Sequence, residues 1–367
     1  EYRTLEELAG FFERIDPAIV HFLGRRAEIV RQVGRIKRKE HKEVRRPDIE
    51  EKRLQAITRY AEDLGVDPGQ ARRIFREIIE VSCEIQEGML GESPEPDFVD
   101  EEDVHKELRQ NLLRLTELVA PIYEEKYGGI ATKVYREFEQ RMIDRVSRDL
   151  SHREVALDLG CATGPLTRHL APYFKRVVGL DLSPAMIAEA QKRNTSSRVE
   201  FLVHDVEEGL PLENESLSFV LMNMGTASDI VEFPRVLGEI KRVLKQGGVV
   251  FLSFYNEEAL FYTLGIPYYP GLSAEFNELR NTLDVRFGQE IFRVFAQPYT
   301  IVEIRILMRS IGLQIRKNWV WSYPTIASLL PEIPFDEKGV RRVREADEAL
   351  ADKCISGAYI IVAAEKT

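Results

Sequence analysis

Apolar residues recur at three- and four-residue steps through Leu5, Leu8, Phe12, Ile15, Ile19, Phe22, Leu23, Ala27, Val30, Val33 and Ile36. That spacing predicts one long amphipathic helix, with a kink expected at Pro17. Two further helical stretches follow, Asp48 to Leu64 and a third ending at Leu90, the latter opened by Asp67-Pro68 as N-cap and first helical residue. A long helix that cannot cover its own stripe usually finds a partner chain, so residues 1–90 predict an intertwined homodimer of helical domains. The run Gly91-Glu92-Ser93-Pro94-Glu95-Pro96-Asp97 has two prolines and no apolar period, which marks a linker over residues 91–103. Helical periodicity resumes at Val104, Leu108, Leu112, Leu115, Leu118 and Val119, and again from Ile130 through Tyr135, Phe138, Met142 and Val146 to Leu150.

At Val155 the period changes. Short apolar runs at Val155–Leu159, Val177–Leu182, Val199–His204, Ser218–Asn223, Val249–Tyr255, Leu313–Val320 and Tyr359–Glu365 alternate with helical stretches. This is the pattern of an α/β domain with a seven-stranded, mostly parallel sheet covered on both faces. The second domain is therefore expected over 104–367: a helical lid (104–150), a core (151–255), an insertion (255–300) and final strands (301–367). The insertion is dense in aromatics. Within it, Leu283–Phe287 and Ile291–Phe295 alternate apolar with polar residues around Gly288, which predicts a hairpin. Residues 336–353 are charged and periodic and predict a surface helix.

Composition narrows the chemistry. The 367 residues are 44% hydrophobic, enough for sizeable cores, and the net charge of −10 disfavours a general grip on nucleic acid or anionic membrane. Cys83, Cys161 and Cys354 lie far apart without ligand-like spacing, so neither a disulfide framework nor a metal site is expected. No apolar run reaches the roughly 18 to 20 residues that span a bilayer, and the expectation is a cytoplasmic protein. Residues 1–90 carry 18 Lys/Arg against 18 Asp/Glu, so the whole net charge resides in the remainder of the chain.

The candidate chemistry centres on Val155-Ala156-Leu157-Asp158-Leu159-Gly160-Cys161-Ala162-Thr163-Gly164, a buried strand running into a tight turn and a helix N-terminus. The next strand ends in Asp181, 21 residues after Gly160, placed to accept ribose hydroxyls. The third ends in His204-Asp205, suited to an adenine amine. The glycines are spaced G-x-x-x-G, not the G-x-G-x-x-G of nicotinamide-binding folds. With Gly179-Leu180-Asp181-Leu182-Ser183, Met186 and Leu244-Lys245-Gln246-Gly247-Gly248, the set resembles the class I S-adenosylmethionine-dependent methyltransferases over residues 155–255, with Leu313–Glu365 fitting their final strands. The resemblance implies S-adenosylmethionine as cofactor. It places Gly160, Cys161, Ala162 and Gly164 around the methionine moiety, with Asp158 orienting the loop or the amine. Asp181 takes the ribose, Leu182 and Met186 sandwich the adenine, Asp205 and Val206 read it, and Asn223 and Met224 line the reactive end.

In the first domain, Arg26 and Lys37 are eleven apart and share a face of their helix, while Ser82 and Gln86 are four apart on another. Ile15-Asp16, Leu23-Gly24-Arg25-Arg26, Gly34-Arg35-Ile36-Lys37, Arg46-Pro47-Asp48-Ile49-Glu50, Ile78-Ile79-Glu80-Val81-Ser82 and Gln86 together resemble the all-helical chorismate mutases and the related isochorismate–pyruvate lyases. The resemblance implies that Arg26 holds a substrate carboxylate, Lys37 and Gln86 contact the ether oxygen, and Glu50 and Ser82 bind the hydroxyl end. Two positions depart from the family: Ala9 and Ile49 stand where substrate-binding arginines are expected. Arg3, Arg45, Arg46 or Arg53 are the cations available to compensate, residues 25–53 holding 12 Lys/Arg against 6 Asp/Glu.

The acceptor is sought in the insertion, where Tyr255, Tyr262 and Tyr299 with Arg280, Arg286 and Arg293 suit a flat, carboxylated substrate, and Trp319, Trp321 and Tyr323 close its far side. Tyr255 or a lid tyrosine (Tyr123, Tyr127, Tyr135) is the candidate proton acceptor. The expected activity is methyl transfer to a small shikimate-derived acid. A second reading is carboxy-S-adenosylmethionine synthesis from prephenate, and a third makes residues 1–90 only a dimerising or ligand-sensing module.

Overall fold

The structure, a computed structural model, describes residues 40–63, 65–90, 101–126, 130–259, 268–269, 274–277, 281–323 and 357–367, most of residues 16–38, and residues 341, 342 and 345. The chain divides into two compact units, Glu1–Phe98 and Val99–Thr367.

The first unit is helical. Described residues between 16 and 38 form α1, followed by α2 (Pro47–Asp63) and α3 (Pro68–Leu90). The α3 start is as the sequence predicts, with the Asp67 carboxylate accepting the Gln70 N–H at 2.7 Å. Gly34 lets α1 cross α3 closely: a Cβ there would lie 3.1 Å from Gln86 Cγ and 3.3 Å from Met89 Sδ. Leu54, Ile79 and Cys83 form the small core. Ile19, Val20, Leu23 and Ile29 of α1 stay exposed, Val20 and Ile29 at 67% and 60%, so this unit leaves an apolar stripe uncovered. Pro17 and Ala9 lie outside the described residues.

The second unit opens with α4 (Glu101–Val119), the single turn α5 (Tyr123–Lys126) and α6 (Ile130–Asp149). Then β1 (Val155–Leu159), α7 (Pro165–Leu170), β2 (Arg176–Asp181), α8 (Pro184–Arg193), β3 (Val199–Val203), β4 (Leu217–Met222), α9 (Phe233–Val243) and β5 (Leu244–Tyr255) alternate as expected. Within the insertion stand β6 (Tyr268–Tyr269), β7 (Ala274–Asn277), β8 (Thr282–Phe287) and β9 (Glu290–Phe295), followed by α10 (Ile301–Ser310), β10 (Leu313–Tyr323) and β11 (Tyr359–Lys366). The main sheet has seven strands in the order β10-β11-β5-β4-β1-β2-β3. The pairs among β1 to β5 are parallel, while β11 is antiparallel to both its neighbours.

Both faces of this sheet are dry. Along β4, Phe219 and Leu221 join one core with residues of α6, while Val220 and Met222 join the other with α9 and α10. The expected hairpin forms as β8 and β9, paired from Thr282↔Phe295 to Phe287↔Glu290, with Gly288 at φ +61° in the turn. It belongs to a second, four-stranded sheet, β6-β7-β8-β9. The chain order reverses at β1, which lies between β4 and β2, and their carboxyl ends open on a crevice. Among the described residues no helix is long and apolar enough to cross a membrane, and no group of three or more His, Cys, Asp or Glu is placed to hold a metal ion. Tyr127, Tyr262, Arg280, Cys354 and most of residues 336–353 are outside the described residues.

Candidate functional site

The loop after β1 curls back on itself through Gly160 (φ +69°), Ala162 (φ +47°) and Gly164 (φ +75°). The Gly160 and Cys161 N–H groups donate to the Leu180 carbonyl at 2.8 and 3.0 Å, tying the turn to β2. At Gly164 a Cβ would come within 2.3 Å of the Phe201 ring, so this glycine is required by packing as well as by its conformation. It caps α7 and does not face the crevice.

Asp181 ends β2 and pins two segments at once. Its Oδ2 accepts the Ala162 N–H and its Oδ1 the Ser183 N–H, each at 2.8 Å. Burial pushes its carboxyl above the usual range. Asp158, at the end of β1, is almost fully buried; Thr167 Oγ1 donates to its Oδ2 at 2.6 Å, while Oδ1 has no hydrogen-bond partner. Desolvation pushes this carboxyl up to about 7. Asp205 holds the Glu207 N–H through Oδ1 at 2.9 Å and is ion-paired through Oδ2 with Arg109 of α4.

Asp181 and Asp205 share one cleft of about 620 Å³ between α4 and the carboxyl ends of the strands. Gly160, Ala162, Asp181, Leu182, Met186, Asp205, Val206 and Met224 line it. A side chamber of about 30 Å³ is lined by Asp158, Cys161 and Asn223, again with Gly160, Ala162 and Met224. Every residue proposed from sequence for the cofactor, Gly164 excepted, faces one chamber or the other.

Three further side chains of the site have no local sequence signal. Arg136 and Gln140 of α6 line the small chamber beside Tyr123, a cation and an amide placed for a carboxylate. Behind them Glu139 is fully buried. Its Oε1 accepts the Tyr135 hydroxyl at 3.0 Å and the Met224 N–H at 3.2 Å, its Oε2 has no partner, and burial pushes its carboxyl up to about 7. On an amphipathic helix such charges read as a solvated face.

Tyr255, Tyr359 and Phe295 add aromatic surface to the large cleft. Of the remaining substrate candidates, Arg293 is held by Asp284 at 2.7 and 2.8 Å across the hairpin, and Arg286 is exposed; neither lines the cleft. Tyr299 packs against Phe233 and Phe254 in the core on the opposite face of the sheet. Trp321 is stacked on Phe251 in the core instead of closing a pocket. Arg293 pairs locally because the strand register sets Asp284 opposite it.

In the helical unit, Ser82 and Gln86 are buried on α3. Gln86 Nε2 donates to the Ser82 carbonyl at 3.0 Å, and its Oε1 is buried without a partner. Ser82 Oγ donates to the Ile78 carbonyl at 2.7 Å. Lys37 Nζ donates to the Val44 carbonyl at 2.6 Å, and Glu50 Oε1 accepts the Arg46 N–H at 2.9 Å beside the Cys83 thiol. Burial first, and then the field of Arg53, lowers the pKa of Arg26, whose Nε is buried and unpartnered. Lys37 is held below its ordinary value by burial first, then by Arg46 and Arg53. A guanidinium and an ammonium group held near each other, with the Arg26 Nε donor unpartnered, suit an anion.

Residues 157–252 match the methyltransferase domain family and residues 12–87 match chorismate mutase type II. The chain thus carries a methyltransferase domain and a chorismate mutase domain. A 2-phytyl-1,4-naphtoquinone methyltransferase of Thermosynechococcus vestitus is 31% identical over 142 residues, covering 38% of this chain and 61% of that one. A malonyl-[acyl-carrier protein] O-methyltransferase of Yersinia pestis is 32% identical over 108 residues, covering 29% and 38%. The match spans between 34% and 61% of the length of these curated relatives. Among solved structures, a DhpI–SAH complex aligns with a TM-score of 0.47 at 16% identity, over 71% of this chain and 98% of that one.

The residues present fit S-adenosylmethionine. The partnerless Asp158 Oδ1 borders a chamber that also holds Arg136 and Gln140, a donor and acceptor set for an amino-acid end. The large cleft offers Asp181 and Asp205 with Leu182 and Met186 for the nucleoside.

Proposed function

We propose that the second unit transfers a methyl group from S-adenosylmethionine to a small acceptor, carboxylated or aromatic and of shikimate type, and that the first unit binds a dicarboxylate of the same chemistry. The observation that carries the reading is the convergence of Asp158, Asp181 and Asp205 on a cleft and its side chamber, with aromatic surface in the cleft. When bound, the cofactor supplies a methyl group already activated on a sulfonium, so the protein contributes mainly alignment. Arg136 and Gln140 would hold the methionine carboxylate and Asp158 its ammonium. Asp181 would hold the ribose, Leu182 and Met186 the adenine faces, and Asp205 the adenine amine. Tyr255, Tyr359 and Phe295 would exclude water from the acceptor and present it edge-on or stacked.

For the first unit, Arg26, Lys37 and Arg53 supply cations, and Gln86 with Glu50 the polar counterpart. Ile49 removes one guanidinium from such a pocket, and a lost charged hydrogen bond costs roughly 1.5 to 3 kcal/mol. Homodimerisation through α1 is supported by its exposed Ile19, Val20, Leu23 and Ile29. Incubation of the whole protein with chorismate and S-adenosylmethionine, followed by product masses, tests the reading. A methylated acid is expected. A carboxylate gained by the cofactor would replace this reading with carboxy-S-adenosylmethionine synthesis, and chorismate left intact would make the first unit a binding module.

A further inference from the structure

Asp229 closes the turn after β4, at the acceptor side of the large cleft. Its N–H donates to the Thr226 carbonyl at 3.0 Å, and the Tyr255 hydroxyl at the end of β5 is near enough to its carboxyl to favour the ionised form. Both side chains line the cleft together with Met224 and Tyr359. Tyr255 is fixed from several directions. Its N–H donates to the buried Ser228 Oγ at 2.9 Å, and its carbonyl accepts the Tyr299 N–H at 2.9 Å. Its ring occupies space left by Gly225, where a Cβ would approach Tyr255 Cε1 to 2.1 Å.

Among the described residues no cation is ion-paired with Asp229, and burial, only partly opposed by the Tyr255 hydroxyl, pushes its carboxyl up to about 7. A carboxylate so placed is a stronger base than an exposed one and is half ionised near neutral pH. The lid phenols are unsuited to accepting a proton, because burial pushes Tyr123 up to about 12 and Tyr135 well above the ordinary phenol value, so both keep their own.

We propose that Asp229, oriented by Tyr255, takes the proton that the methyl acceptor loses, so that the acceptor is a protonated nucleophile, for which a hydroxyl group is taken, and not an ionised carboxylate. This rests on the methyltransferase reading above. In the step, the acceptor O–CH3 bond forms as the methyl C–S bond breaks, and the bonding pair stays on sulfur, which becomes a neutral thioether. The hydroxyl proton passes to the Asp229 carboxylate, directly or through the Tyr255 hydroxyl. One cation and one anion give two neutral groups, and no further reactant is needed.

His105, Lys106 and Arg109 of α4, Tyr123 of α5, Asp181 at the end of β2, His204, Asp205 and Glu207 after β3, Glu232 before α9 and Tyr359 of β11 face the same cleft. The test must therefore separate Asp229 from them. Calorimetry with S-adenosylhomocysteine is run on the whole protein and on D229N, D229E, Y255F and H105Q. Initial rates with S-adenosylmethionine follow, using phenol, 4-hydroxybenzoate and benzoate as probe acceptors across pH 5.5 to 9, so that no probe hydroxyl itself ionises near pH 7. The expected result is transfer to a hydroxyl probe with a rising limb centred near pH 7. D229N should bind S-adenosylhomocysteine within about twofold of the parent but lose roughly 10²- to 10⁴-fold in kcat, and the limb with it, at little change in KM. D229E should recover part of the rate, Y255F should lose less than D229N, and H105Q should keep the limb. Parental kcat and limb in D229N would overturn the proposal, as would bound S-adenosylhomocysteine with transfer only to benzoate or to no probe. Absence of S-adenosylhomocysteine binding in the parent protein would instead defeat the methyltransferase reading.

Discussion

Arg109 of α4 is ion-paired with Asp205, the carboxylate that the sequence marks for the adenine amine. The second oxygen of Asp205 already accepts the Glu207 N–H, so adenine recognition competes directly with the Arg109 guanidinium. Arg109→Ala is expected to tighten S-adenosylhomocysteine binding by about 1.5- to fivefold, the range of a partly exposed ion pair. Calorimetry decides it, and weaker binding in the variant would mean that Arg109 supports the nucleoside instead of competing with it.

Glu139 gives a pH signature to stability. Its carboxyl is raised to about 7 in the folded unit by burial, against an ordinary value of 4.5. A raised carboxyl binds its proton more tightly folded than unfolded, so its contribution is full below about pH 4.5 and is lost as pH rises through about 7. In Glu139→Gln the amide oxygen can still accept from Tyr135 and Met224. The variant should flatten the fall of the thermal midpoint between pH 5 and 8; an unchanged slope would assign that fall to Asp158 or Asp229.

Gly225→Ala tests the packing behind the acceptor wall. The residue has φ +82°, and a Cβ would overlap the Tyr255 ring. A loss of about 1 to 3 kcal/mol in stability is expected from strain and ring displacement, measured by denaturant unfolding. Binding of S-adenosylhomocysteine should persist, because neither residue contacts the proposed nucleoside positions.

Much of this site was legible because loop chemistry and strand ends carry local signals. Gly160 and Gly164 mark the turn, and Asp181 and Asp205 follow at strand termini where a parallel sheet opens. Residues on helices were harder to read. Arg136, Glu139 and Gln140 share α6 with a clear apolar stripe, and only the tertiary fold decides that this polar arc meets a cavity instead of water. Asp229 is a lone acid in a turn, without spacing to any partner; Tyr255 reaches it only because β5 lies beside β4. Arg293 shows the opposite case, since hairpin register brings Asp284 across from it and takes it away from the cleft. Trp321 and Tyr299 illustrate a further ambiguity, because aromatic residues serve cores and pockets equally well.

Ile49→Arg tests the thinned cation set of the first unit. Ile49 lies on α2 next to Glu50, one turn before Arg53. A charged hydrogen bond of about 1.5 to 3 kcal/mol would raise turnover of chorismate by roughly 10- to 150-fold, followed as loss of chorismate by chromatography. No gain, with the helical content intact by circular dichroism, would show that the pocket is shaped for a different acid.

Everything proposed for the second unit depends on Asp158, Asp181 and Asp205 building an S-adenosylmethionine site. Titration of S-adenosylmethionine into the purified protein and into Asp181→Ala, with the thermal midpoint of each measured alongside, tests it most directly. The expected result is one site per chain in the parent protein and an affinity at least about 100-fold weaker in the folded variant, because the ribose contacts and the loop clamp are lost together. Parental affinity in Asp181→Ala, or no heat of binding in the parent protein, would contradict it.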